Sequence, residues 1–401
     1  MNDSPLPEAT RPGRRPLVAR ESLRLAFVGR GAHAPPEPAP ADRLFLDTGN
    51  DLRPGVIDHH QLTAYNGSTT GLALLRPDLI DGAVVPARRG DDPFTLVVHE
   101  RPDLDCAAAA YLASAYLTAG SFPGGAEALG RYVDRVDGGV LGLTLSNPFS
   151  LYAAYSRLSD NLDGDRGLSN PERWRAAVEG GMRLIDHVLA EVRGAKELGD
   201  VDAFACPGLL GEADREAVRG DIDRYARKLA DPRTMARVAR LRLPGQQGGE
   251  VPAEALLVRD VQNADDPGRV LFFKDWARSD ARRAGNGRGF VALSVFMTES
   301  ARQGRRCVLS VAPDSGASLR GLGARLDEAE AERRRQLYGV DDRAADPATG
   351  APREPRPGYD NADPWYDGRA HGFTIVDAPR AGTVLGADDI EAIFLRFGGG
   401  G

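Results

Sequence analysis

Cysteine is scarce, with three in 401 residues, at 106, 206 and 307. That number builds no disulfide framework and excludes the small, stapled secreted folds. Cys106 reads as a small buried thiol and not a nucleophile, because no basic group flanks it in sequence to favour a thiolate. Lysine stands only at 196, 228 and 274, so arginine carries nearly all the positive charge. No apolar run approaches the ~18 residues needed to cross a bilayer, so no membrane partner is expected. Residues 1–21, "MNDSPLPEATRPGRRPLVARE", lack the apolar stretch of a secretory signal and are expected as a flexible arm. A cytoplasmic location fits these absences. The net charge of −7 argues against a long duplex nucleic acid, whose binding rests on phosphate neutralisation. A small phosphate substrate held by a local cluster stays open.

What is present is ordinary for a soluble globular chain, 42% hydrophobic and 27% charged, with length enough for two domains. "SLRLAFV", "DRLFLDTG", "GVIDHHQ" and "FTLVVHERPDLD" read as strands closed by polar turns. "GLALLRPDLI" and the Ala-rich "CAAAAYLASAYLTAG" read as helices, the second stopped by Gly120. Strands alternating with helices before residue 150 imply an α/β domain with a parallel sheet. From 151 to 240 the spacing is mainly helical. Beyond it, "ARLRLPG", "EALLVRD", "RVLFFKDW", "GFVALSVFM", "RCVLSVAP" and a last pair in "GFTIVDAPRAGTVL" read as strands. The expected order is an α/β domain over 22–165, a helical connector over 166–240 and a smaller α/β domain over 241–397 that closes over a cleft.

Three polar clusters each follow an apolar run: Asp47; Asp58, His59 and His60; and His99, Asp103 and Asp105 in "HERPDLD". In parallel sheets, ligands sit at the carboxyl ends of strands. Two of only six histidines stand side by side behind an aspartate there. A later helix adds Asp134 and Asp137 in "RYVDRVDGG". Several carboxylates converging on one point repel each other in a low-dielectric cleft, and divalent cations remove that repulsion. Two such ions make hydroxide from water and stabilise the oxygens of an in-line displacement at phosphorus. The residue types therefore point to metal-dependent hydrolysis of a phosphate ester or anhydride.

These residues resemble the DHH phosphoesterase superfamily. "HERPDLD" is similar to its H-x-x-x-D-x-D motif, Asp47 to its strand-end aspartate and "DHH" to its signature. Asp137 in "DGG" resembles its fourth motif more closely than Asp134 does. "DHHQ", with the faintly similar "VLFFKDW" and "SVAPDSGASLRGL", is closest to the DHHQ branch, that of the melanocyte-proliferating-gene products, which resemble 3′→5′ RNA exonucleases. The resemblance is specific over 44–145. Its motif order is permuted, and the Gly-Gly-Gly-His type motif of the usual C-terminal domain is missing. The resemblance implies two divalent ions, Mn²⁺ first, with Mg²⁺ or Zn²⁺ as alternatives. It implies His99 and Asp103 on one ion, Asp105, His59 and Asp137 on the other, and Asp47 bridging. His60 would face the substrate phosphate and Asp58 would orient the histidine pair. The implied substrate is a small nucleotide, short oligonucleotide or cyclic dinucleotide. A catalytically weak nucleotide sensor and an inorganic pyrophosphatase are the alternatives, and a homodimer is an allowed assembly.

In the C-terminal half, arginine clusters suit phosphate, which a guanidinium grips in a bidentate fork. Arg288 in the Gly-rich "RAGNGRGF" and Arg320 are the first expected substrate contacts. Arg369 is a third, in a loop that also holds Tyr359, Trp365, Tyr366 and His371. That loop reads either as a nucleobase clamp or as a packing cluster.

Overall fold

A computed structural model describes residues 16–29, 31–37, 42–60, 62, 67–84, 92–140, 142–192, 197–259, 269–300, 304–341, 343, 364–368, 372–379 and 382–399. Among them the chain is mixed α/β with two five-stranded sheets. It divides into one unit of residues 1–138 and 147–215 and a second of 139–146 and 216–401. No helix of the described residues is long and apolar enough to cross a membrane.

The first unit holds strands β1 (Leu23–Val28), β2 (Arg43–Leu46), β3 (Leu52–Arg53) and β4 (Val56–Ile57), helices α1 (Thr69–Leu75) and α2 (Pro77–Asp81), and β5 (Phe94–His99). Helices α3 (Leu104–Ala119), α4 (Ala126–Asp137), α5 (Leu151–Gly164) and α6 (Asn170–Glu191) follow. The sheet order is β1-β5-β2-β4-β3, parallel except for β3 against β4. Register decides what this order means for chemistry. Leu46 lies opposite Ile57, and Phe45 opposite Val97. Asp47, Asp58 and His99 thus leave the sheet at one edge, whatever their order along the chain.

Alternation along the strands fills both faces. Leu44, Leu46, Ile57, Leu96 and Val98 pack with Cys106, Ala109, Ala110 and Ala113 of α3 and Val178 of α6. Phe45, Val56 and Val97 point the other way. Helix α3 starts where the Asp103 carboxylate accepts the Cys106 N–H at 3.1 Å and ends at Gly120, whose φ of 73° suits a left-handed cap. Its alanines let α6 approach closely, since a Cβ on Gly181 would lie 2.8 Å from the Ala107 Cβ.

The second unit takes most of α7 (Glu212–Ala230), then β6 (Arg237–Pro244), β7 (Glu250–Arg259), α8 (Phe273–Ser279), α9 (Ala281–Ala284), β8 (Ala292–Ser300), β9 (Gly304–Val311), α10 (Leu322–Tyr338), β10 (Ile375–Asp377) and α11 (Ala387–Phe397). Its sheet runs β10-β9-β8-β7-β6, antiparallel except for β7 beside β8. Leu322 and Leu326 of α10 and Ile390 and Phe394 of α11 share one core with Leu241, Leu257 and Leu309. The 166–240 stretch, expected as a connector, is shared between the units: α6 lies in the first and most of α7 in the second.

Among the described residues two expected strands do not form. "RVLFFKDW" forms a turn and helix α8, because the buried Asp221 carboxylate takes the N–H groups of Leu271 and Phe272 and the Trp276 indole N–H. Phe272, Phe273, Trp276 and Ala277 are buried at helical spacing, which outweighs the aromatic composition that reads as strand. In "GFTIVDAPRAGTVL" only β10 forms among the described residues. The Thr383 hydroxyl and Val384 N–H instead serve the fully buried Glu330 carboxylate. Trp365 is buried in the second core and also donates to Glu330, so it is a packing residue. Tyr359, Arg369, His371 and Gln61 lie outside the described residues.

Candidate metal centre

Each side chain of the centre is placed by a strand end, by the start of α3 or, for Asp137, by the end of α4. Asp47 follows β2 and adopts φ 57°, a left-handed conformation that Asp tolerates better than most residues. Its backbone N–H stays in the sheet, donating to the Ile57 carbonyl at 3.0 Å. The carboxylate thereby turns inward with 2% exposure.

Two groups of donors meet at Asp47. Asp47 Oδ2 is 3.3 Å from His99 Nε2, which is 3.7 Å from Asp103 Oδ2. Asp47 Oδ1 is 3.4 Å from His59 Nε2, which lies 3.9 Å from Asp105 Oδ2 and 3.5 Å from Asp137 Oδ2. Donor atoms of Asp47, His99 and Asp103 lie within 4.8 Å of one another, as do those of His59, Asp105 and Asp137, and Asp47 forms a further such set with His59 and His60. His60 is the exposed member, and its Nδ1 lies 2.7 Å from Asp58 Oδ1. Asp58 also accepts the backbone N–H of His60 at 3.0 Å and of Asn50 at 2.7 Å, which fixes the turn after β4. Asp134, in contrast, is taken by Ser68, whose N–H and hydroxyl donate to it at 2.7 and 2.6 Å.

The donor set fits a cation. His99 Nδ1 faces the Glu100 carbonyl at 2.7 Å, and a carbonyl only accepts, so Nδ1 carries the hydrogen. The Nε2 lone pair therefore points at carboxylate oxygens, an arrangement that needs a proton or a metal between them. Burial opposes charge on His59, but Asp47, Asp105 and Asp137 override it and raise its pKa to about 10. Burial is likewise outweighed at His99, where Asp103 and Asp47 raise it to about 10. Asp47 and Asp105 move in opposite directions. Burial would raise Asp47, yet hydrogen bonds from both imidazoles hold it well below the usual range. Burial raises Asp105 strongly, and its neighbours Asp47 and Asp137 add to that. Burial also raises Asp137, to about 7.

Metal uptake must displace these protons. At pH 8, binding should release at least two protons per chain, one each from His59 and His99, read by calorimetry in buffers of different ionisation heat. Uptake with no proton release would remove the two imidazoles from the ligand set. The same shifts give the metal-free protein a pH dependence. Both histidines hold protons more tightly folded, near 10, than at the ordinary 6.5. Their stabilisation is complete below about 6.5 and lost as pH rises through 10. Asp137, raised to about 7, acts in the same direction at lower pH.

Sequence reading passed over the start of α1. Ser68 caps it, accepting the Gly71 N–H at 3.0 Å. The Thr69 and Thr70 N–H groups grip the two Asp105 oxygens at 2.8 Å each, the Thr70 hydroxyl adds a bond at 2.6 Å, and the Thr69 hydroxyl reaches Asp47 Oδ1 at 3.2 Å. The S-T-T-G run before "LALL" is a helix-start signature, which is the signal that was available. Partners of this kind contribute about 10–100-fold to metal affinity. Thr70→Val keeps the shape and removes a hydroxyl that reaches both the Asp105 carboxylate and its backbone carbonyl, so affinity for a divalent cation at Asp105 should fall about 10-fold, read by competition with a chelating dye. Unchanged affinity would leave Thr70 with a folding role alone.

Arg288 and Arg320 both lie in the second unit and are exposed. The Arg288 backbone N–H donates to Asn286 Oδ1, and the Arg320 guanidinium stands 4.2 Å over the Phe373 ring. The structure thus brings Asp47, Asp58, His59, His60, His99, Asp103, Asp105 and Asp137 together in the first unit, with Asp134 tied to Ser68 beside them. No protein-family model matches the chain, and no curated protein matches it.

Proposed function

We propose that this chain is a dinuclear-metal phosphoesterase of the DHH type, acting on a small nucleotide, short oligonucleotide or cyclic dinucleotide. The observation that carries the proposal is the position of Asp47, which faces His99 of the set with Asp103 through one oxygen and, through the other, His59, which belongs to a second set with Asp105 and Asp137. His99 and Asp103 would hold one ion and His59, Asp105 and Asp137 the other, with Mn²⁺ the first candidate and Mg²⁺ or Zn²⁺ alternatives. When bound, such a pair supplies a nucleophile from water and neutralises charge on the phosphoryl oxygens.

The chain's own contributions follow from burial and charge. His60 has a side chain 54% exposed, so it can meet a solvent-borne phosphate. Its pKa is raised by the Asp58 carboxylate, which favours the imidazolium that an anionic substrate requires. Asp58 holds that ring in place through side-chain and backbone contacts at once. The resemblance of "HERPDLD" and "DHHQ" to the superfamily's motifs supports the same assignment.

The test is turnover of bis(p-nitrophenyl) phosphate with Mn²⁺, followed by a panel of pyrophosphate, phosphoadenosine phosphate, linear dinucleotides and cyclic dinucleotides. Metal-dependent cleavage of a diester, abolished by chelation, is the expected result. Saturable nucleotide binding without product would replace the enzyme by a sensor. Cleavage of pyrophosphate alone would replace it by a pyrophosphatase.

A further inference from the structure

We propose that Cys106 is a protein ligand of the ion held by His99 and Asp103. Its sulfur would make that position thiophilic, suited to Zn²⁺ or Co²⁺ above Mg²⁺ or Mn²⁺. This rests on the two-metal reading above and adds a chemical difference between the two positions.

Cys106 is fully buried in the first turn of α3. Its N–H is held by the Asp103 cap, and its side chain emerges toward Asp47, with Sγ 3.3 Å from Asp47 Oδ2. Sγ, His99 Nε2 and one oxygen each of Asp47 and Asp103 lie within 4.8 Å of one another. Four donors placed tetrahedrally about one ion, at about 2.0–2.3 Å, stand roughly 3.3–3.8 Å apart. Three of the six separations here fall in that range, 3.3 Å from Asp47 to His99, 3.7 Å from His99 to Asp103 and 3.3 Å from Asp47 to Cys106, and all six lie within 4.8 Å. Small side-chain movements therefore close a four-coordinate shell.

An independent feature marks the same point. His99, 3% exposed and with Nδ1 facing the Glu100 carbonyl, directs Nε2 at the Asp47 and Asp103 oxygens, so that a cation there would take the place of the Nε2 proton. The other group, His59, Asp105 and Asp137, contains no sulfur. Thiolate favours Zn²⁺, whereas carboxylate and imidazole alone also suit Mn²⁺. On coordination the Sγ–H bond breaks, the proton passes to solvent and a sulfur lone pair binds the ion, with no change of oxidation state. A thiolate among carboxylates is costly without the cation, whose charge reverses that balance.

The full-length protein, stripped of metal by chelation, is titrated with Co²⁺ and followed by absorption. The expected result is a thiolate-to-cobalt charge-transfer band in the near ultraviolet. That band is lost in Cys106→Ser and kept in Cys206→Ser and Cys307→Ser, whose sulfurs belong to none of the donor groups among the described residues. Zn²⁺ affinity in Cys106→Ser should fall by more than the ~10–100-fold typical of outer partners. X-ray absorption of the wild-type zinc protein reads sulfur at the metal directly, so the question survives a variant that does not fold. Cobalt bound with ligand-field bands but no charge-transfer band would overturn the proposal and leave Cys106 as a thiol donor to Asp47, with the two-metal reading intact. Failure to bind Co²⁺, Zn²⁺ or Mn²⁺ would overturn both.

Discussion

Asp47→Asn should lower metal-dependent turnover by about 10³-fold or more, roughly 4 kcal/mol in the barrier, and reduce bound metal below two ions per chain. Among the described residues Asp47 is the carboxylate that faces both the His99 and the His59 imidazoles. Oδ2 faces His99 and Cys106 at 3.3 Å each, and Oδ1 faces His59 at 3.4 Å and His60 at 3.6 Å. An amide replaces one of these oxygens by a donor. Whichever way it turns, one group meets an N–H where it needs an electron pair. Asparagine is the right replacement because the φ of 57° at this position suits Asn, whereas alanine would add about 1–2 kcal/mol of backbone strain. Turnover and metal content are measured together, with circular dichroism to establish the fold. A variant that keeps two ions and near-normal rates would remove Asp47 from the bridging role.

Why some of this centre could be read from sequence and some could not follows from distance along the chain. Asp47, Asp58 and His99 end apolar runs, so each is visible locally, and a parallel register places all three at the carboxyl ends of neighbouring strands. The same register gathers these residues whatever their order in the sequence, because neighbours in the sheet need not be neighbours in the chain. Asp134 and Asp137 stand three apart on α4, on one helix face, so periodicity could not separate them. The tie is broken by Ser68, which occupies Asp134 from 66 residues away and leaves Asp137 beside His59. The Thr69 and Thr70 grip on Asp105 spans 36 and 35 residues and has no local signature beyond a helix start. At "RVLFFKDW" the reason is of another kind. Aromatic content suggested strand, but burial of Phe272, Phe273, Trp276 and Ala277 follows a helical period, and a distant aspartate takes the amides a ladder would need.

Asp105→Ala should abolish turnover and also destabilise the metal-free protein by about 2–4 kcal/mol, so it is not the clean loss of a ligand that the motif alone implies. The carboxylate, 2% exposed, accepts the N–H groups of Thr69 and Thr70 at 2.8 Å each, and both threonines are fully buried. Alanine leaves those two amides without acceptors, at about 1–3 kcal/mol each. The Thr70 hydroxyl is less affected, because it also reaches the Asp105 backbone carbonyl at 3.2 Å, which alanine retains. Opposing the loss is relief of repulsion with Asp47 and Asp137, which is part of why the Asp105 carboxyl is raised so far above its ordinary range. The orphaned amides outweigh that relief, because a carboxyl so raised can already shed its charge by protonation in the metal-free state. Thermal unfolding in excess chelator should show a midpoint lowered by about 5–15 °C. An unchanged midpoint would mean that the start of α1 finds other acceptors and that Asp105 is not part of the fold's support. A lowered one has a consequence for assays: inactivity of Asp105→Ala then mixes loss of a ligand with loss of α1's anchor. The chemical question at this centre is better decided at Asp47, where the substitution leaves the backbone's own hydrogen bonds in place.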